Sequence, residues 1–529
     1  MSISNSKETA PVQSSGADSR PHTASTSRTH LSDPFASPLP SRAPSVHKPN
    51  ASHVSFSSFS SGIASVPRTP TNDSFQPHPI LTTRTSARFA VFSTEASSLA
   101  TPKKITRMRS HALPDDKPME KPWNDKPNPR ARFAYFLTYF VICLGLTGGV
   151  LQSYFTYKNV PLDRSPLCLV LDENFDNPDT VFGENGSFFR EVNMDGFGNG
   201  EFEMATASQN NSFVKDGMLY IVPTLTSDSI GHDAVFDGTV FNITGCTFNE
   251  TRPDNGFIMS NGQRVFDWQS YYRACSAVAN STAGTVVNPV QSARLTTKKS
   301  ASIKYGRVEV RAKMPNGDWM WPAIWMLPKD EVYGPWPLSG EIDIVESRGN
   351  GIRYTAHGSN FVQGSLNWGP AQNLNGVSKS YSWWTQRRES FGSKFHTYAL
   401  EWTDQFIRMY VDSRLHTLLD LRFNQPFFKR GDFPEVIFNG SSLTALQNPW
   451  INGTNATPFD QEFYLILNVA VGSTNGWFPE SQGNKPWLDN AAHPVRDFAK
   501  AQNQWYPTWP STAEDRGMVV DYVKMWKHC

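Results

Sequence analysis

From Phe133 to Leu151 the chain reads FAYFLTYFVICLGLTGGVL, an uncharged apolar run of about 19 residues, close to the length that spans a bilayer. A helix made from it has no polar face to turn toward water, which argues against a core helix of a soluble domain. It also lies too deep in the chain to be an ordinary cleaved signal peptide. The run therefore divides the 529 residues into parts with different physical fates. Residues 1–132 are rich in Ser, Thr, Pro and basic groups and poor in core formers, so they are expected to be a disordered cytosolic tail. Ser37-Pro38, Thr69-Pro70 and Thr101-Pro102 are candidate proline-directed phosphorylation pairs within it. Residues 133–151 are the expected transmembrane helix, 152–167 a stem, and 168–529 a folded domain.

The flanking charges orient the span. Lys103, Lys104, Arg107, Arg109, Lys117, Lys121, Lys126, Arg130 and Arg132 precede it, against Lys158 and Arg164 soon after. Positive residues stay on the cytosolic side, so the reading is a single-pass type II membrane protein with its C-terminal domain lumenal or extracellular. Glycosylation sequons agree: Asn185, Asn210, Asn242, Asn249, Asn280, Asn439, Asn452 and Asn455 follow the span, and only Asn50 and Asn72 precede it. Of the five cysteines, Cys143 sits in the span and four lie beyond it. In an oxidising compartment four cysteines imply two disulfides, with three pairings open. We favour Cys246–Cys275, closing a Gly/Asn-rich insertion, and Cys168–Cys529, tying the domain's ends. A net charge of +1 gives no reason to expect a nucleic-acid partner.

Beyond Cys168 short β-rich runs recur between Gly, Pro, Asn and Asp. Met218–Val222, Gly306–Ala312, Phe395–Trp402, Phe406–Asp412, Tyr464–Val471 and Val519–Trp526 are examples. Most alternate apolar and polar residues, and no long amphipathic helix stands out. This pattern predicts an all-β sandwich.

One of these runs carries unusual chemistry. Glu341-Ile342-Asp343-Ile344-Val345-Glu346 places three carboxylates within six positions, separated by β-branched residues. On a regular strand Glu341 and Asp343 share a face and Glu346 falls on the other. One bulge would bring Glu346 back, leaving Ile342 and Ile344 to back the polar face from a core. Crowded carboxylates cannot all ionise cheaply, so a proton is retained near neutral pH. A protonated acid beside an ionised one is the equipment for glycosidic bond cleavage, and a separation of about 5–5.5 Å would mark a retaining geometry.

A solvent-facing acidic edge would use the same residues; the surrounding aromatics argue against it. Trp319, Trp321 and Trp325 lie just upstream, with Trp368, Trp383, Trp384 and Trp477 downstream, among sixteen Trp in all. Any single Trp is more often a core residue. This clustering around an acidic strand favours a carbohydrate cleft.

These segments together resemble glycoside hydrolase family 16, in its laminarinase-like and β-1,3-glucan-binding-protein branch. The residues that carry the resemblance are Tyr305–Lys313, Gly317–Trp325, Ser339–Asn350 (SGEIDIVESRGN), Asn468–Gly472, Asn475–Pro479 and the strand around Asp521-Tyr522-Val523. The tail and apolar run lie outside it; their arrangement more loosely resembles the type II membrane glucan-assembly proteins of fungal cell walls. The resemblance implies a jelly-roll sandwich of two antiparallel sheets, of the concanavalin A-like lectin/glucanase type, binding glucan on its concave face. It further implies Glu341 as nucleophile, Glu346 as general acid/base and Asp343 as the residue tuning them. Trp321, Trp325, Trp368 and Trp477 would line sugar subsites, with Arg307 and Asn468 as polar contacts. Asn367 stands where close relatives commonly carry His, and it cannot titrate. No metal ligand or cofactor is expected; a structural calcium ion would suit the fold, but no residues indicate one. The expected partner is β-glucan, as substrate of a hydrolase or transglycosylase. A non-catalytic glucan-binding receptor or wall-assembly protein is the competing reading.

Overall fold

In the strand Gly306–Lys313 burial alternates residue by residue, and that alternation sets the architecture of the domain. Val308, Val310 and Ala312 are fully buried while Arg307, Glu309 and Arg311 face outward. A strand so patterned needs a second layer on its apolar side. In the computed structural model, which describes residues 121–122, 126, 128–183, 185–439 and 442–529, two large antiparallel sheets provide those layers. The phosphorylation pairs, Asn50, Asn72 and nearly all of the expected tail lie outside the described residues, as does part of the Asn439 sequon.

The sheet that carries the acids has eight strands. In chain order they are β1 (Phe189–Glu191), β2 (Arg294–Thr296), β3 (Ser302–Ile303), β4 (Met320–Pro328), β5 (Glu341–Ser347), β6 (Phe361–Asn367), β7 (Tyr381–Thr385) and β8 (Phe463–Val471). Across the sheet the order is β7-β6-β5-β4-β8-β2-β1, with β3 also on β8. Every residue of β8 is buried, because one face meets the core and the other underlies a cleft. The opposing sheet runs Thr417–Arg422, Phe406–Val411, His396–Trp402, Gly306–Lys313, Met518–His528, Met218–Ile221 and Ser212–Lys215, with Leu167–Glu173 also on Met518–His528. Between the two sheets Val308, Val310, Ile342, Ile344, Met409 and Leu467 form a continuous apolar core.

Both expected disulfides are present. Leu167–Glu173 pairs with Met518–His528 so that Cys168 sits opposite Lys527, and Cys168 is bonded to Cys529 with Cα atoms 5.2 Å apart. The second, Cys246–Cys275, has a Cα separation of 5.5 Å. It braces the insertion between β1 and β2, where Val192, Met204, Phe248, Ala274 and Val287 make a separate small core.

Residues Pro129–Asn159 form a 31-residue helix, longer at both ends than the apolar run itself. Asn128 caps it, accepting from the Arg130 and Ala131 amides at 3.1 and 3.2 Å, and Pro129 occupies the first turn. The helix is long and apolar enough to cross a membrane, and none of its residues is buried.

Candidate functional site

The acidic strand β5 is bulged where the spacing of its carboxylates requires it. Against β4, Val345 pairs with Ile324 but Asp343 pairs with the very next residue, Trp325. Against β6 the partners are Asp343 with Ser365 and Glu346 with Gln363, so Ile344 and Val345 together face the single residue Gly364. Ile342, Ile344 and Val345 are fully buried in the core. Gly364 admits the bulge by its lack of a side chain. A Cβ there would lie 2.9 Å from the Met409 sulfur, 3.2 Å from Leu418 Cβ and 3.3 Å from the Ile344 carbonyl oxygen.

The bulge gathers the three acids over a cleft of about 870 Å³, with Glu341 and Glu346 on its lining and Asp343 beneath them. Each is held by named donors. Trp336 Nε1 donates to Glu341 Oε2 at 2.5 Å. Ser365 Oγ and Asn367 Nδ2 donate to Asp343 Oδ2 at 2.6 and 2.8 Å. Trp321 Nε1 and Gln363 Nε2 donate to the two oxygens of Glu346 at 3.0 and 3.1 Å. Glu341 and Asp343 are also hydrogen-bonded to each other.

Burial raises all three carboxyl groups, because a charge away from water is costly. Glu341 is pushed up to about 7, moderated by its hydrogen bonds to Asp343 and Trp336. Glu346 is pushed up to about 8 by burial and then by the charge of Asp343. Asp343 is held well above the usual carboxylate range by burial and then by the charge of Glu341. Both cleft carboxyls are thus raised toward neutrality, Glu341 less than Glu346, and Asp343 shares a hydrogen bond with Glu341. Such a pair can supply an attacking carboxylate and a proton donor at one site.

Aromatic rings form the walls. Trp321 stacks on Trp477 with centroids 4.6 Å apart and planes 12° from parallel. The Arg348 guanidinium lies 4.1 Å from the Trp477 ring and donates to its carbonyl at 3.0 and 2.6 Å, pinning the loop. Arg294 sits between two rings, 4.7 Å from Trp325 and 4.3 Å from Phe197, and pairs with Glu191 at 2.8 Å.

Three residues expected at sugar subsites stand elsewhere. Arg307 points outward from the opposing sheet, ion-paired with Glu309, because the apolar alternation of its strand commits Val308 and Val310 to the core. Trp368 is fully buried: its Nε1 donates to Ser380 Oγ at 2.7 Å, and its ring packs edge-on against Phe427 and Phe433. Asn468 shares the cleft-side face, opposite Ala323 and Arg294, but it is buried and accepts the Trp325 indole N–H at 2.8 Å, so it supports an aromatic residue of the lining. Trp321, Trp325 and Trp477 do line the cleft. So does Asn367, where it links Asp343 to Asn375, whose amide donates to the Asn367 oxygen at 2.7 Å. His357 instead stacks on Phe361 at 4.1 Å and makes no contact with the acids.

Sequence reasoning missed Trp336, Gln363, Ser365, Arg294 and Arg348. For Gln363 and Ser365 a signal existed: with Asn367 they alternate along β6 against the buried Val362 and Leu366. Trp336 reaches Glu341 from a loop, and no periodicity marks it.

The chain is similar in sequence to known proteins. Residues 263–437 match the glycosyl hydrolases family 16. A beta-1,3-glucan-binding protein of Penaeus monodon is 40% identical over 365 residues, covering 68% of this chain and 90% of that protein. A glucan endo-1,3-beta-glucosidase A1 of Niallia circulans is 39% identical over 181 residues, 34% of this chain and 22% of its own length. The solved laminarinase of Rhodothermus marinus is 23% identical with a TM-score of 0.40, spanning 69% of this chain and all of that structure at 100%. With 90% of the Penaeus monodon protein matched at 40% identity, the chain belongs to glycosyl hydrolase family 16.

Proposed function

We propose that the domain cleaves β-1,3-linked glucan internally and with retention, through Glu341 as nucleophile and Glu346 as acid/base. The observation that carries this reading is geometric: Glu341 and Glu346 are brought to one cleft by a bulged strand, between aromatic walls, and burial raises both carboxyls toward neutrality. The ionised Glu341 oxygen attacks the anomeric carbon as the glycosidic C–O bond breaks, and Glu346 gives its proton to the departing oxygen. Glu346, now a carboxylate, takes a proton from water or from an acceptor hydroxyl. That oxygen then displaces Glu341 from the anomeric carbon. Water gives hydrolysis; a sugar hydroxyl gives transglycosylation. The printed names of the relatives, a glucan-binding protein and a glucan endo-1,3-beta-glucosidase, support β-1,3-glucan as the polymer concerned.

Proton NMR of the first product formed from laminarin tests the proposal. A β anomer is expected, with Glu341→Gln inactive yet still binding glucan; an inverted first product, or full activity in that variant, rejects the mechanism. The second reading, a glucan receptor without catalysis, is favoured by the Penaeus monodon relative's name and predicts tight binding with no turnover. Faster cleavage of a β-1,4 glucan than of laminarin would reject the linkage preference.

We also propose that Pro129–Asn159 anchors the domain as a type II membrane protein. The helix's exposed apolar surface and the exposure of Asn185, Asn210, Asn242, Asn249, Asn280, Asn452 and Asn455 support this. Glycosidase treatment should lower the mass of fragments from beyond residue 160 only; glycans on Asn50 or Asn72 would reverse the orientation.

A further inference from the structure

Strand β7 is the edge of the acid-bearing sheet, and its two tryptophans part company. Trp384 turns inward, stacking on His416 at 4.6 Å and packing against the core. Trp383 pairs across the ladder with Gln363, and Tyr381 with Ser365. Residues directly opposite on antiparallel strands share a face. Gln363 donates to Glu346 and Ser365 to Asp343, so the Tyr381 and Trp383 rings stand on the catalytic face, one strand beyond the donors. Both are left in the open, 46% and 47% exposed. Their centroids are 5.9 Å apart with planes 28° from parallel, and His357, itself stacked on Phe361, supports Trp383 from 6.0 Å.

Tyr381 lines the cleft, and Trp383 stands two residues further along the same face of the strand, opposite Gln363, which also lines it. Large aromatic surface kept in water beside a binding cleft signals a ligand. The strip Tyr381-Ser382-Trp383-Trp384-Thr385 carries no charge, so it does not select an ionic partner. A β-linked glucosyl ring presents an apolar face of axial C–H bonds, which suits a flat exposed ring. We infer that Tyr381 and Trp383 form a distal sugar platform, which receives the units of an extended β-glucan chain that run past the cleft across β7. This inference rests on the proposed glucan activity and adds to it a preference for long chains.

The test uses the full-length protein with laminari-oligosaccharides of increasing length. Trp383→Ala should raise KM for the longest oligomers by about fivefold, the loss of one aromatic stacking contact. The kcat should hold, and the effect should shrink steadily toward the trisaccharide. Tyr381→Ala should act over a shorter range of lengths, and Trp383→Phe should recover most of the loss. An equal change at every length, or none at any length, overturns the platform. So does unchanged glucan affinity at all lengths with altered self-association, which would assign the edge to another protein strand. If the wild-type chain binds glucan without turnover, the enzymatic reading fails alone, and the same length series read as calorimetric affinities still decides the platform. Absence of glucan binding defeats both.

Discussion

Glu341 and Glu346 differ in environment more than in chemistry, and that difference underlies the division of labour proposed for them. Hydrogen bonds from Trp336 and Asp343 favour the charged form of Glu341, while burial first of all favours the protonated form of Glu346. The proposed mechanism needs Glu341 ionised and Glu346 protonated, so it predicts a narrow bell for the pH–rate profile. Its acid limb should fall near 7 and its alkaline limb near 8. The limbs report the coupled cluster as a whole, so they should shift together when Asp343 is changed to Asn. A flat profile between about pH 5.5 and about pH 9.5, two units either side of the expected optimum, would reject this reading. Glu346→Ala should lower kcat/KM on laminarin by about 10²–10⁴-fold, the usual contribution of a positioned acid. Aryl glucosides with good leaving groups need no proton and should lose far less. Equal losses on both substrates would show that Glu346 is not the acid.

At the scale of the element, the bulge in β5 and the glycine opposite it form one device. Ile344 and Val345 occupy the ladder space of Gly364 alone, and this is what turns Glu346 back toward Glu341. Gly364→Ala would put a methyl group 2.9 Å from the Met409 sulfur and 3.3 Å from the Ile344 carbonyl oxygen. Overpacking of this kind costs about 1–3 kcal/mol. The loss in kcat/KM should exceed what partial unfolding explains, because relief of the clash moves the acid strand. Thermal denaturation and kinetics on the same preparation check the prediction; a stability loss with full specific activity would separate the glycine from the bulge. Alternation along β6 serves the same site, sending Gln363, Ser365 and Asn367 to the acids and Val362 and Leu366 to the core.

For the whole molecule, the Cys168–Cys529 bond joins residues 361 positions apart and ties the first strand of the domain to its last. Replacing both with Ser should destabilise the domain by roughly 3–5 kcal/mol through the freed unfolded chain. Chemical denaturation should therefore report a lower midpoint, and an unchanged midpoint would mean that strand pairing alone holds the ends. The sequence by itself determined the all-β architecture and the gathering of Glu341, Asp343 and Glu346, and it narrowed the disulfides to three pairings, of which the fold realises the favoured one. The architecture and the acid cluster follow from local spacing: β-branched residues between acids favour a strand, and the gap from Asp343 to Glu346 requires a bulge if all three acids are to share a face. Only the tertiary structure decided where the polar and aromatic partners fall. Arg307 and Asn468 lie in segments that carry the family resemblance and Trp368 is expected beside them, yet one faces outward from the opposing sheet and two are buried. Trp336, which no pattern singled out, donates to Glu341. The physical reason is that a period of two says which residues share a face, but not which face meets the core, the cleft or water. That choice is made by the strands and loops packed against it, and these come from distant parts of the chain.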